Sequence, residues 1–349
     1  MARRLGWVRG WEGLLLVILI LVVAFNVISA RHYLGIQNLV NLFELHIEEI
    51  MVALTMTFLI VNGEIDLTVG SMMGLAGCVM ASMWEKGIPV PYGIATALVV
   101  GILVGAFNGF MSTYAGLSSL IVTLAGLIGF RGLAFVLLED RSVGNFPEWF
   151  NRLGQQPLIG PFPFAVLAFF VMLAISIVIL HYTGFGRHVY VIGNNKEVAR
   201  YAGVNVRRVK MTLFVASGLV SAFAGLLLAA RTGSMRGDTG TGTELTVITM
   251  VVFGGVSIFG GTGSLFGVLL SILITLNLRN GMGLLNISGD VQTGVLGLLL
   301  VVAVLVPTMG NALRSLFKRR QVSTHLPVAG EQKGGTPQAA VDDWPIGKV

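Results

Sequence analysis

Glu64 and Asp66 stand in an otherwise apolar region, in the stretch Asn62-Gly63-Glu64-Ile65-Asp66-Leu67-Thr68-Val69-Gly70-Ser71. A charge at the centre of a bilayer costs about 2.5–3.5 kcal/mol on insertion scales, so such groups face protein or water. Asn62 and Gly63 can interrupt a helix, and Thr68 and Ser71 can satisfy the backbone groups this frees. One reading is a broken helix lining a translocation path. The other is a short turn in which Asp66 caps the following helix. The two carboxylates could also act as proton carriers.

A second candidate region is rich in glycine. It runs from Gly237 through Thr243 and Glu244, then Gly254-Gly255-Val256-Ser257 to Gly263-Ser264. Such density permits close helix approach or re-entrant turns, and Glu244 and Ser257 could touch a solute. It is no phosphate cradle, because a Walker loop ends in Gly-Lys-Ser/Thr and the one Gly-Lys pair, Gly347-Lys348, precedes Val349. The third region is the basic loop 183–210. Asn194 and Glu197 have capping-box spacing, residues 195–202 make about two helical turns, and Gly203 is placed to end them. Val198, Ala199, Ala202 and Val204 give this short helix a small apolar face. It suits a partner's groove or a lipid headgroup layer.

The residue types exclude much else. His32, His46, His181, His188 and His325 show no metal-ligand spacing, no G-x-S-x-G is present, and Cys78 is the single cysteine. No metal, cofactor or catalytic set is expected in this chain.

The elements that must position these residues follow from composition. Of 349 residues, 54% are hydrophobic and only 11% charged, with 46 glycines. An ordinary soluble domain carries roughly 25% charged residues. The expectation is an all-α polytopic membrane protein of about ten transmembrane helices. They are placed near 13–30, 47–61, 67–84, 92–115, 117–138, 162–182, 211–230, 244–260, 264–279 and 291–309. The first run is long enough to stay as a span instead of a cleaved signal. The division is an N-terminal segment 1–12, a membrane-spanning core 13–310 with the loop 183–210, and a basic tail 311–349 expected to be disordered. An even number of spans gathers the Arg/Lys-rich segments 1–12, 183–210 and 311–349 on one side. It leaves Arg31, Lys86, Arg141, Arg152, Arg231, Arg236 and Arg279 on the other. The positive-inside rule then places both termini in the cytoplasm. Asn108-Gly109 and Asn280-Gly281 echo one another. They hint at an inverted repeat of helices 2–5 by 7–10.

At these residues the chain resembles the permease subunits of bacterial ABC importers of the ribose, xylose, rhamnose and autoinducer-2 class. The family's I-D-L-S-V-G-S is matched by Ile65 to Ser71, with Thr68 for Ser. Its N-G matches Asn108-Gly109, and its I-V-T-L followed by R-G matches Ile121 to Leu124 and Arg131-Gly132. Gly186-Arg187, Tyr190, Gly193 and Asn195 resemble its loop signature. Gly240 to Leu245 and Gly254 to Ser264 match its two glycine-rich motifs. Glu64 stands where the family usually has Gly, and Ser118-Ser119 where Pro is frequent.

The resemblance implies a transport subunit, not an enzyme, that moves a monosaccharide or similar solute across the bacterial inner membrane. It implies a separate ABC ATPase subunit that binds the ATP, a periplasmic or lipid-anchored substrate-binding protein, and a second permease subunit. Glu64, Asp66, Thr68, Ser71, Asn108, Glu244 and Ser257 are then candidates for the solute path. Asn194, Asn195, Glu197, Ala199, Ala202 and Gly203 are candidates for coupling to the ATPase. The competing reading is a proton-coupled secondary transporter using Glu64 and Asp66. A non-transporting span bundle is the third.

Overall fold

The computed structural model describes residues 2–30 and 33–305, with side chains from residue 10 onward except Ile159. The tail 311–349, Arg31 and His32 lie outside the described residues.

The described residues are mostly helical. In order come α1 (Ala2–Ser29), α2 (Ile36–Glu44), α3 (Ile47–Val61), α4 (Val69–Glu85), α5 (Val90–Thr113) and α6 (Ser119–Leu138). Then follow α7 (Glu148–Gln155), α8 (Phe164–Ile177), α9 (Gly184–Asn194), α10 (Lys196–Tyr201) and α11 (Val206–Thr232). The last are α12 (Thr243–Phe253), α13 (Leu265–Leu284) and α14 (Gly289–Leu305). A five-residue π-helical turn, Val178–Tyr182, continues α8. Two-residue strands β1 (Val143–Gly144) and β4 (Ser234–Met235) pair antiparallel, as do β2 (Pro157–Ile159) and β3 (Phe162–Pro163).

Each expected span has a helical counterpart, but among the described residues length and hydropathy qualify six as crossings: parts of α1 and α8 with its π turn, and α5, α6, α11 and α13. The other four are short. α3 has 15 residues and α4 has 17, below the roughly 20 that a perpendicular crossing needs. The span expected over 244–260 stops at Phe253, because Gly254 and the turn after it leave the helical register.

The short helices lie inside the bundle. Almost every residue of α3 is buried, as expected for a helix apolar on all sides. It packs on α8, α11 and α12. α4 packs on α5, α6 and α11. Glycine sets the α5–α11 distance: a Cβ on Gly101 would stand 2.6 Å from Gly218 O, and one on Gly105 2.4 Å from Phe214 O. This close approach accounts for the four-residue glycine spacing in α5.

The two Asn-Gly pairs have unlike surroundings. Asn108 donates to Thr68, whereas Asn280 pairs with Asn38 and Gly281 lies against Asn26.

Candidate functional site

The turn after α3 forms as its sequence dictates. Gly63 adopts φ +81°, its N–H reaches Ile60 O (2.9 Å), and Glu64 N–H reaches Leu59 O (2.9 Å). This pair of bonds is a Schellman ending with glycine at the left-handed position. The chain then runs without regular secondary structure through Glu64, Ile65 and Asp66, and a turn at Leu67 and Thr68 leads into α4.

Asp66 is buried and its carboxylate is fully engaged. Oδ1 accepts from Thr68 N (2.9 Å) and Thr68 Oγ1 (2.5 Å), and Oδ2 accepts from Ser217 Oγ of α11 (2.7 Å). Thr68 Oγ1 in turn accepts from Asn108 Nδ2 of α5 (3.0 Å), and Ser71 Oγ donates to Thr68 O (2.9 Å). Four of the seven path candidates therefore meet in one buried cluster that joins α4, α5 and α11. Ser217 completes it. No sequence signal marked this serine, which is one small residue in an apolar helix.

Glu64 points elsewhere. Its Oε1 lies 2.8 Å from Lys210 Nζ of α11 and 2.9 Å from Lys196 Nζ of α10, and Lys210 also donates to Ser112 O (3.1 Å). Burial pushes the Glu64 carboxyl up. The two ammonium groups and the Ser119 hydroxyl pull it down further, so it stays below the usual carboxylate range.

The glycines around this point are in backbone contact. Gly261 N donates to Val61 O (2.8 Å), and a Cβ on Gly193 would fall 1.8 Å from Val61 O. Gly260 and Gly261 pack in turn on Gly193 and Asn194. Tyr190 OH, which burial pushes up to about 12 and so keeps protonated, donates to Gly263 O (2.9 Å). Ser257 lies in this same turn, where its Oγ accepts from Phe259 N (3.2 Å), apart from the Asp66 cluster. The end of α3, the end of α9 and the glycine turn thus form one knot.

α10 departs from the sequence reading in two places. The cap is Asn195, not Asn194: Asn195 Oδ1 accepts from Glu197 N (2.9 Å) and Val198 N (3.1 Å), while Asn194 closes α9. Ala199 is fully buried and packs inward, which removes it from any outward contact surface. The outward face carries Val198, 57% exposed, and Tyr201, 91% exposed. Gly203 ends the helix at φ +80°, with Ala202 before it as the C-cap. Glu197 pairs with Arg200 on the exposed side (3.0 Å).

Glu244 begins α12. Its Oε1 accepts from Gly242 N (3.2 Å), Oε2 has no partner, and the charge faces Arg131 of α6. Asn62 Oδ1 and Asn108 Oδ1 are likewise buried without a partner. Among the described residues no group of three His, Cys, Asp or Glu side chains could hold a metal ion.

A bundle of apolar helices with a buried polar turn between two of them, and a capped helix on a basic loop, fits a membrane transport subunit. The chain belongs to the family described as branched-chain amino acid transport system, permease component, which matches residues 38–304. The autoinducer 2 import system permease protein LsrD of Yersinia enterocolitica is 33% identical, covering 84% of this chain and 91% of its own. The xylose transport system permease protein XylH of Haemophilus influenzae is 32% identical over 84% of this chain and 95% of its own. LsrD of an Enterobacter species is 34% identical, covering 84% and 92%. No solved structure matches.

Proposed function

We propose that this chain is the membrane subunit of an ATP-driven importer for a small hydroxyl-rich solute of the sugar class. The fuel comes from an ATPase on another chain, and the solute is delivered by a separate binding protein. The observation that carries this reading is the link between α10 and the centre of the bundle. α10 exposes Val198 and Tyr201 on a basic surface, where a partner can grip them. Lys196 on the same helix is bonded to Glu64 in the turn that breaks α3 from α4. A push on α10 therefore reaches that turn directly.

The solute class rests on the relatives. LsrD and XylH carry autoinducer 2 and xylose in their names, while the family label, which spans a wider set, names amino acids. The unpartnered acceptors Asn62 Oδ1, Asn108 Oδ1 and Glu244 Oε2 suit hydroxyl donors. The proton-coupled alternative fits less well. Glu64 is held by two lysines and Asp66 by three hydrogen bonds, so neither is free to shuttle protons.

Unpaired charge supports the orientation. On the opposite side Arg141, Arg152, Arg231, Arg236 and Arg279 are each paired with a carboxylate, and Lys86 has no ion-pair partner among the described residues. On the side of 183–210, Arg187, Arg207 and Arg208 have no ion-pair partner among the described residues. The reading places that side and both termini in the cytoplasm, with ten crossings, four of them short, and a second permease subunit completing the pore.

Reconstitution in proteoliposomes tests this. Accumulation of a sugar-class solute that requires ATP, the partner ATPase and the binding protein supports the reading. Accumulation driven by a pH gradient alone overturns it. Glu197→Arg is expected to leave the chain folded and to uncouple ATP hydrolysis from uptake.

A further inference from the structure

We propose that a groove on the outside of the bundle, between α3, α8 and α11, binds an anionic phospholipid, with one acyl chain in the groove and the phosphate held by Arg187 and Arg208. The groove encloses about 500 Å³ and is walled by Phe58, Met172, Ile175, Ile179, Ala216 and Val220. It opens outward, since Ile175 is 52% exposed beside Val171 and Val178, which are also exposed. These flanking residues are all apolar, as lipid-facing positions are. Water does not fill an apolar groove at hydrocarbon depth, so a chain of methylenes is the natural occupant.

Charge complementarity selects the lipid. Along α11 the groove is lined by Thr212, Ala216 and Val220, spaced four apart on one face. Arg208 is the next step back along that stripe, and Thr212 Oγ1 donates to its carbonyl (2.9 Å). Helical side chains lean toward the N-terminus, so Arg208 projects past the end of the groove. The opposite wall repeats the arrangement. Ile175, Ile179 and Thr183 line it at the same spacing, with Thr183 Oγ1 donating to Ile179 O (2.6 Å). Thr183 is extended and opens α9, and in its first turn Arg187 donates its N–H to Thr183 O (3.4 Å), with its guanidinium over Gly184, 3.6 Å from where a Cβ would stand.

Two arginines thus close one end of an apolar slot, from two helices. Both are exposed, and neither meets a carboxylate within ion-pair distance among the described residues. Basic pockets between spanning helices hold anionic headgroups in this way, and a guanidinium suits a phosphate through two parallel hydrogen bonds. The π-helical turn at Val178–Tyr182 gives the α8 wall its shape, since Ile179 belongs to it. The site is separate from the Glu64 and Asp66 clusters, so lipid retention is read independently of transport.

The test is native mass spectrometry of the full chain in detergent, with added phosphatidylglycerol or phosphatidylcholine of identical chains. One phosphatidylglycerol retained per chain, preferred roughly tenfold or more, is expected. Arg187→Gln with Arg208→Gln is expected to abolish the preference. Ala216→Phe, which fills the slot and leaves both arginines, is expected to lose the retained lipid. A nitroxide at Ile175→Cys, on the exposed rim of the groove, reads the groove with both arginines in place. Spin-labelled phosphatidylglycerol is expected to broaden its spectrum more than spin-labelled phosphatidylcholine does. Equal retention or equal broadening by the two lipids overturns the proposal, as does undiminished preference in the double variant. Disulfide formation between Ile175→Cys of two copies also overturns it, by assigning the face to a subunit contact.

Discussion

Glu64 Oε1 lies 2.9 Å from Lys196 Nζ, an ion pair closing 132 residues of chain. It fastens the turn that ends α3 to the exposed α10 helix, at a position where a glycine would make no such link. Lys210, 2.8 Å away and nearly buried, makes Glu64 the shared anion of two cations.

Removing the anion therefore costs more than removing the outer cation. Glu64→Gln leaves Lys210 buried beside a neutral group, a loss on the order of 3 kcal/mol. Lys196→Ala breaks a pair whose lysine is half exposed, worth at most about 1 kcal/mol. Thermal melting in detergent is expected to show a large decrease for the first and a small one for the second. ATPase assays of the assembled complex are expected to show weakened solute stimulation in both. If Lys196→Ala retained full stimulation, this ion pair would not carry the coupling.

The same cluster sets a pH dependence. Its lysines hold the Glu64 carboxyl below its ordinary value of 4.5. The stabilisation is thus complete above that value and is lost as pH falls through the lowered one. The melting difference between wild type and Glu64→Gln is expected to be constant from neutral to mildly acidic pH and to shrink only in stronger acid. A difference that shrinks between pH 7 and 6 would contradict this.

At Asp66 the prediction is an order among variants. Asp66→Ala strands the Thr68 N–H and hydroxyl and the Ser217 hydroxyl, and each unmade bond costs about 1–3 kcal/mol. Ser217→Ala removes one donor, while two others still serve the carboxylate, for about 1 kcal/mol. Asp66→Asn keeps the shape and loses charge. Expression and melting are expected to fall in the order Ser217→Ala, Asp66→Asn, Asp66→Ala. Wild-type stability of Asp66→Ala would show that the bundle does not need this cluster.

Gly193 and Gly203 should behave differently despite similar positions flanking α10. A Cβ on Gly193 would sit 1.8 Å from Val61 O and 2.6 Å from Gly261 N, so Gly193→Ala must separate α9 from the centre of the bundle. Gly203 has open space and only a left-handed backbone to satisfy, so Gly203→Ala costs about 1–2 kcal/mol. Uptake is expected to disappear in the first and to persist in the second.

The sequence on its own determined what the membrane and the local backbone impose. Apolar runs located the helices, because a bilayer leaves no other way to pair backbone groups. Gly63 and Gly203 announced their turns, since few residues other than glycine adopt those angles cheaply. The motifs Ile65 to Ser71 and Gly254 to Ser264 carried the family likeness. Tertiary structure decided what lies far apart along the chain. It bound Asp66 to Thr68 and to Ser217 of α11, turned Glu64 toward Lys196 and Lys210, and moved the α10 cap to Asn195. It also showed that the glycines at 193, 260 and 261 serve backbone contact with Val61. Sequence periodicity reports which face of a helix is apolar, not which helix meets it. The partners of a buried carboxylate or a glycine are fixed only when the helices pack.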